Sequence, residues 1–158
     1  MQFKLSSPAF PPGSAIPEAH TCDGPDTAPL LNWNGAPDGT KSFALIVDDP
    51  DAPDPNAPKT TYVHWVLYDV PATATSLGGD AAAKVGRDGL NDWKRRGYNG
   101  PCPPIGRHRY FFKLYALDAL LGDLGSPTKK DVEAAMRGHV LAQAELMGTY
   151  ERAKVGAR

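Results

Sequence analysis

Proline and glycine recur along the whole chain, sixteen of each in 158 residues, and cut it into short segments. Their spread marks no single linker; it punctuates a succession of turns. Pro11-Pro12-Gly13, Asp23-Gly24-Pro25 and Asn34-Gly35 make residues 6 to 40 a loop-rich opening, with short strands near Leu30–Trp33. Between the turn signals lie three strand-like apolar runs. In residues 42 to 49, Phe43, Leu45, Val47 and Asp49 share one face and Ala44, Ile46 and Asp48 the other. In residues 61 to 70, Tyr62, His64, Val66 and Tyr68 share a face, with Val63, Trp65 and Leu67 opposite. In residues 107 to 117, His108, Tyr110, Phe112 and Leu114 point the same way.

The stretch between the second and third runs, 72 to 104, is long and polar, and a loop of that length is usually functional or partly disordered. Its end, Gly97-Tyr98-Asn99-Gly100-Pro101-Cys102-Pro103-Pro104, is stiffened by three prolines, while Gly100 permits close backbone approach. Further on, Ser126-Pro127-Thr128 opens a helix, capped by Ser126 or Thr128 and closed near Gly138. Residues 140 to 150 are ambiguous: propensity favours helix, whereas the alternation of Val140, Ala142, Ala144 and Leu146 permits a strand. Strands joined by turns, with one or two short helices late in the chain, predict a mainly β protein: an antiparallel β-sandwich with short peripheral α-helices, one domain over 1–158.

A net charge of −1 gives no reason to expect nucleic acid or an anionic membrane as partner, and Lys94-Arg95-Arg96 reads as a solvated loop. No apolar stretch reaches the length of a membrane span, and no basic-then-apolar leader is present. Met1 favours a cytoplasmic location, with a mature periplasmic form left open. Cys22 and Cys102 are too few for a disulfide scaffold, and they are expected to be reduced, partly buried thiols; a disulfide between them needs Cα atoms within about 7 Å.

The polar groups set into the apolar runs carry the functional question. Asp49 ends a strand face at Pro50, and proline is expected to stop the ladder there. His64 lies inside a strand beside Tyr62, and His108 and Tyr110 are two apart. If the strands are neighbours, these groups converge, and four readings follow. A core histidine can simply be satisfied by a buried aspartate. Imidazole N–H, phenol O–H and loop amides near Gly100 or Gly106 can hold a phosphate, sulfate or carboxylate, with occupancy weakening as the histidines lose their protons. Two histidines and an aspartate can bind zinc, although no compact His-x-x-x-His spacing is present. A His–Asp base can support hydrolysis, although no Gly-x-Ser-x-Gly is present and Cys102, a conceivable thiol nucleophile, is held between prolines.

At these residues the chain resembles the phosphatidylethanolamine-binding protein family, in its bacterial and archaeal Raf-kinase-inhibitor-like branch. The motifs in order are Asp49-Pro50-Asp51-Ala52-Pro53, Val63-His64-Trp65-Val66-Leu67, Gly97 through Pro104, and Gly106-Arg107-His108-Arg109-Tyr110. Ser7-Pro8-Ala9-Phe10, Thr21-Cys22-Asp23-Gly24, Asn91-Asp92-Trp93 and Gly138-His139-Val140 extend the match over nearly the whole chain. The resemblance implies a β-sandwich with an anion cavity lined by Asp49, His64, His108 and Tyr110. Gly100 and Pro101 form its loop wall, and Pro53, Tyr62 and Trp65 lie at or near it. It also implies a cis Ala52–Pro53 bond and a strand over 139 to 150, overriding the local helix signal. Cys102 stands where animal members carry a second proline, and their extended C-terminal segment is absent. Raf inhibition is therefore not carried over.

The expectation is thus a binding protein rather than an enzyme, needing no cofactor and no metal. Its partner is a small anion such as phosphate, sulfate, a carboxylate or a phosphorylated head group. A module regulating a kinase or protease, or a weak hydrolase, stands as the alternative. A homodimer could use Trp93 or Tyr98, if these are exposed.

Overall fold

The computed structural model describes residues 2–78 and 85–152. Two antiparallel sheets face each other. The smaller has the order β1 (Lys4–Ser6), β2 (Leu31–Asn34), β5 (Ser76–Leu77); the larger runs β6 (Arg87–Asp88), β4 (Thr60–Pro71), β3 (Ser42–Ala52), β7 (His108–Leu117), β8 (Val140–Tyr150). The main core lies between the sheets, where Leu5, Leu31 and Trp33 meet Phe43, Leu45, Trp65, Phe112, Leu114 and Leu146. On the outer face of the large sheet, Ala44, Ile46, Val66, Tyr68 and Leu117 pack against Val132 and Met136 of α1 (Lys129–Met136). This is the mainly β, two-sheet architecture that alternation predicts, with one α-helix among the described residues.

The helix begins as the sequence indicates. Thr128 accepts from the Asp131 N–H, and Asp131 returns a bond from the Thr128 N–H, closing a capping box. Gly138, at φ 85°, ends the segment. Residues 140–150 form a strand, paired with β7 from His108↔Tyr150 to Leu117↔Val140. Helix propensity yields here because Ala144, Leu146 and Tyr150 complete the buried inner face, which only a period of two can present. The 72–104 stretch is more ordered than its polarity suggests: β5, β6 and a hydrogen-bonded turn over 91–99 occupy its described parts. Arg96 of the basic triplet binds the carbonyl oxygens of Asp88 and Gly125 and the Ser126 hydroxyl.

Three expectations change. First, β3 does not stop at Asp49; it continues through Pro50 to Ala52, and a register shift between Asp49 and Ala52 absorbs the proline. The bond that follows, Ala52–Pro53, is cis. Second, β4 does not alternate cleanly. Asp48 pairs with Val63 and Val47 with Trp65, so His64 is an extra residue in the ladder. The bulge leaves Tyr62, His64 and Trp65 on the inner side, whereas Val63, Val66 and Tyr68 join the outer cluster. Third, Cys22 and Cys102 are not free thiols but a disulfide, with Cα atoms 5.4 Å apart across a separation of 80 residues. Trp93 and Tyr98 are half-buried rather than exposed, and Tyr98 packs edge-on against Trp65.

No helix among the described residues is long and apolar enough to cross a membrane.

Candidate functional site

A cavity of about 330 Å³ opens at one end of the large sheet, lined by Asp49, Ala52, Pro53, Tyr62, His64, Trp93, Cys102, Pro103, Pro104, His108 and Tyr110. Three central strands supply its polar groups. Asp49 ends the inner face of β3, His64 enters through the bulge in β4, and His108 and Tyr110 open β7. Asp48, one residue from Asp49, takes the opposite face and is bound there by Lys113 and Lys129, 3.2 and 2.7 Å away. No lysine or arginine lines the cavity itself.

His108 is held on both sides. Its Nδ1 lies 2.6 Å from an Asp49 carboxylate oxygen and its Nε2 lies 2.8 Å from the carbonyl oxygen of Ile105. With the Asp49 carboxyl ionised both partners accept, and both contacts are then hydrogen bonds when the ring carries two protons. The geometry is that of a buried imidazolium–carboxylate pair, and both side chains are almost wholly inaccessible. The other Asp49 oxygen accepts from the Asp51 N–H at 2.7 Å. Asp51 in turn is clamped by Arg109, whose Nε and terminal nitrogen each lie 2.9 Å from it, and this holds its carboxyl below the usual carboxylate range.

His64 is in a different state. Its Nδ1 donates to the carbonyl oxygen of Asn99 at 2.8 Å, leaving Nε2 as the ring nitrogen free for the cavity. Burial lowers its proton affinity, outweighing the bond to Asn99 and the attraction of Asp49, so the ring is neutral at neutral pH. Tyr62, Trp93 and Tyr110 surround it edge-to-face at 5.7, 5.0 and 5.2 Å between centroids. Tyr110 is 1% exposed, and its hydroxyl has no hydrogen-bond partner. Burial, reinforced by Asp49, pushes its phenol far up, so it remains an O–H donor.

Asp49, His64, His108, Tyr110, Pro53 and Tyr62 are thus brought to one cavity, as their sequence positions suggest. Gly100, Pro101 and Trp65 are not in its lining. Trp65 turns into the core because of the bulge. Gly100 sits behind the wall, where its N–H donates to Asp26 at 2.8 Å; a Cβ there would run into the carbonyl oxygen of His20 and the Asp26 carboxylate. Reading the sequence missed Trp93. It is presented by a turn around buried Asn91, whose Oδ1 accepts from the Trp93 and Arg95 N–H groups and whose Nδ2 reaches Asn99 at 2.7 Å. The Asn91-Asp92 turn signal was the available clue.

The family model described as phosphatidylethanolamine-binding protein matches residues 6–151. The chain belongs to the phosphatidylethanolamine-binding protein family. Relatives within reach of this member include a UPF0098 protein from Aquifex aeolicus, 46% identical over 95% of this chain and 89% of its own length. Another, from Methanothermobacter thermautotrophicus, is 45% identical over 95% and 99%. The crystal structure of the phosphatidylethanolamine-binding protein homolog CT736 from Chlamydia trachomatis superposes with a TM-score of 0.88 at 40% identity, covering 96% of this chain and 98% of that one. E. coli YbcL, described as a member of the mammalian family, gives 0.84 at 32%, covering 97% and 100%. A carboxypeptidase Y inhibitor, at 18% identity and 0.59 over 96% and 83%, shares the fold.

Proposed function

We infer that this family member binds a small anion in the cavity: phosphate, sulfate, a carboxylate or a phosphorylated head group. One observation carries the reading. The Tyr110 hydroxyl is a buried donor without a partner, and it belongs to a cavity that His64 also lines, with its Nδ1 turned to the Asn99 carbonyl. A buried polar group left unpaired costs about 1–3 kcal/mol, a deficit that a ligand oxygen removes. The rest of the lining is apolar or aromatic, which suits the non-ionic remainder of a head group.

The alternatives of hydrolysis and metal binding gain no support from this geometry. Both ring nitrogens of His108 are engaged, which leaves His64 as the one histidine of the cavity with an unengaged nitrogen, and no group of three metal-ligating side chains occurs among the described residues. The protein-regulator reading remains compatible with the fold, but no feature of the cavity favours it.

The Tyr110→Phe variant tests the reading through two effects of opposite sign. Without ligand it is expected to be as stable as the parent or slightly more so, because it removes an unpaired buried hydroxyl. Its affinity for sulfate is expected to fall about tenfold, the equivalent of one hydrogen bond to a charged acceptor. Equal sulfate affinity in parent and variant, by calorimetry, would sink the assignment.

The state of His64 sets the pH dependence. An oxyanion needs a proton on Nε2, which the empty protein lacks, so binding draws one in. Sulfate affinity is expected to rise as pH falls from 8 towards 5, and a flat titration contradicts this. Stability of the empty protein moves the other way. The folded ring binds its proton less readily than the ordinary value of 6.5, so the unfolded chain takes up more protons just below that pH. Unfolding free energy should therefore decline as pH drops through this window and level off once the folded ring protonates. Denaturant midpoints across the range check the sign.

A cytoplasmic location and a permanently closed disulfide stand against each other, since cytoplasmic thiols are normally kept reduced. A periplasmic location accommodates a closed bond, and a cytoplasmic one accommodates a bond that opens and closes.

A further inference from the structure

The disulfide lies at the cavity, and its two ends differ in access. Cys22 is exposed in the N-terminal loop, whereas Cys102 is half-buried in the cavity wall between Pro101 and Pro103. The same two segments are joined by three further ties. The Cys22 N–H donates to the Pro101 carbonyl at 3.1 Å, the Gly100 N–H to Asp26 at 2.8 Å, and the Tyr98 hydroxyl to the His20 carbonyl at 2.6 Å. The tethered segment is also what orients both histidines: Asn99 accepts from His64, and Ile105 accepts from His108. Cys102 therefore sits midway between the carbonyls that fix the two rings.

We propose that Cys22–Cys102 is a thiol–disulfide exchange site, opened and closed by small thiols and disulfides, whose state sets the shape and affinity of the anion cavity. The effect on affinity rests on the anion-binding reading; the exchange and the loosening of the wall do not. A small thiolate attacks the sulfur of the exposed residue Cys22, the S–S bond breaks, and its electron pair leaves on Cys102. A second thiolate attacks the mixed disulfide on Cys22, releasing the small disulfide and a Cys22 thiolate. Both protein thiolates take protons from solvent. The net change is protein disulfide plus two small thiols to protein dithiol plus one small disulfide, and oxidised glutathione drives it back. After opening, the three hydrogen-bonded ties keep the segments together but no longer lock them, so the wall loosens while the sheets stay folded. By reciprocity, an anion that prefers the closed form must protect the bond from reduction by the same factor that the closed bond strengthens its binding.

The test treats the full chain with reduced and then oxidised glutathione, and follows amide hydrogen exchange and sulfate affinity in each state. Reversible reduction is expected, with exchange at the Cys22, Asn99 and Gly100 amides accelerated well beyond that of the β3 and β7 amides. Sulfate affinity should fall about fivefold or more in the dithiol form, and saturating sulfate should shift the glutathione equilibrium towards the disulfide by the same factor. Uniform acceleration across the sheets, or unfolding on reduction, would make the bond a structural staple and overturn the proposal. Unchanged exchange at those three amides would overturn it too. Absence of sulfate binding in both states would refute the anion reading instead, while the exchange pattern still decides the switch.

Discussion

Asp49→Ala is expected to destabilise the protein by about 3–5 kcal/mol, the cost of leaving a buried charge without its partner. The residue is 3% exposed and carries two contacts: His108 Nδ1 at 2.6 Å and the Asp51 N–H at 2.7 Å. Removing it orphans both donors, and one is the ring of His108, itself 1% exposed. The double variant Asp49→Ala/His108→Leu should be much less impaired than the sum of its parts, because no uncompensated charge remains. Urea unfolding of the two single variants and the double gives the coupling. A loss below about 1 kcal/mol for Asp49→Ala would mean that the pair is not ionised in the fold. Sulfate binding should disappear in any of these variants that folds, since the walls formed by His108 and Tyr110 share one strand end.

The second large effect is global. Replacing both cysteines by serine is expected to cost about 4 kcal/mol, because the bond closes a loop spanning 80 residues and removes that freedom from the unfolded chain. For a chain of this size the melting temperature should drop by about 2–4 °C for each kcal/mol. The origin of the loss lies in the unfolded state, so the urea m-value should rise as the released chain expands. An unchanged midpoint would show that the hydrogen-bonded ties between residues 18–26 and 98–104 already restrain the unfolded ensemble. Stability and switching are separable here. A dithiol form that is less stable and still folded is the state the exchange proposal requires.

Much of the fold was readable where one period governs one segment. His108, Tyr110, Phe112 and Leu114 follow strict alternation, and all lie on the buried face of β7. Alternation in β3 likewise separates Asp49 from Asp48 correctly. In β4 the same rule fails, because a bulge is a property of pairing between strands and leaves no mark in the periodicity of one. His64 reached the cavity in spite of that misreading, while Trp65 and Tyr68 ended on the faces opposite to those expected. Gly100 was recognised as a close-approach residue, but what approaches it is the loop at His20 and Asp26, a long-range contact. The disulfide is not decidable from sequence for a related reason. Pairing depends on Cα proximity, and the two cysteines are 80 residues apart in sequence. The strand over 140–150 was legible only through family resemblance, since alanine, leucine, glutamine and glutamate argue locally for helix.

In the proposed binding reaction the cavity takes up an anion together with a proton on His64. Nitrogen-15 spectra of the imidazole rings at pH 7, titrated with sulfate, test it most directly, because sulfate brings no proton of its own. His64 is expected to begin neutral with its proton on Nδ1 and to become doubly protonated as sulfate saturates, while His108 carries two protons throughout. A His64 ring that stays neutral at saturating sulfate, or a His108 ring that begins neutral, would contradict it.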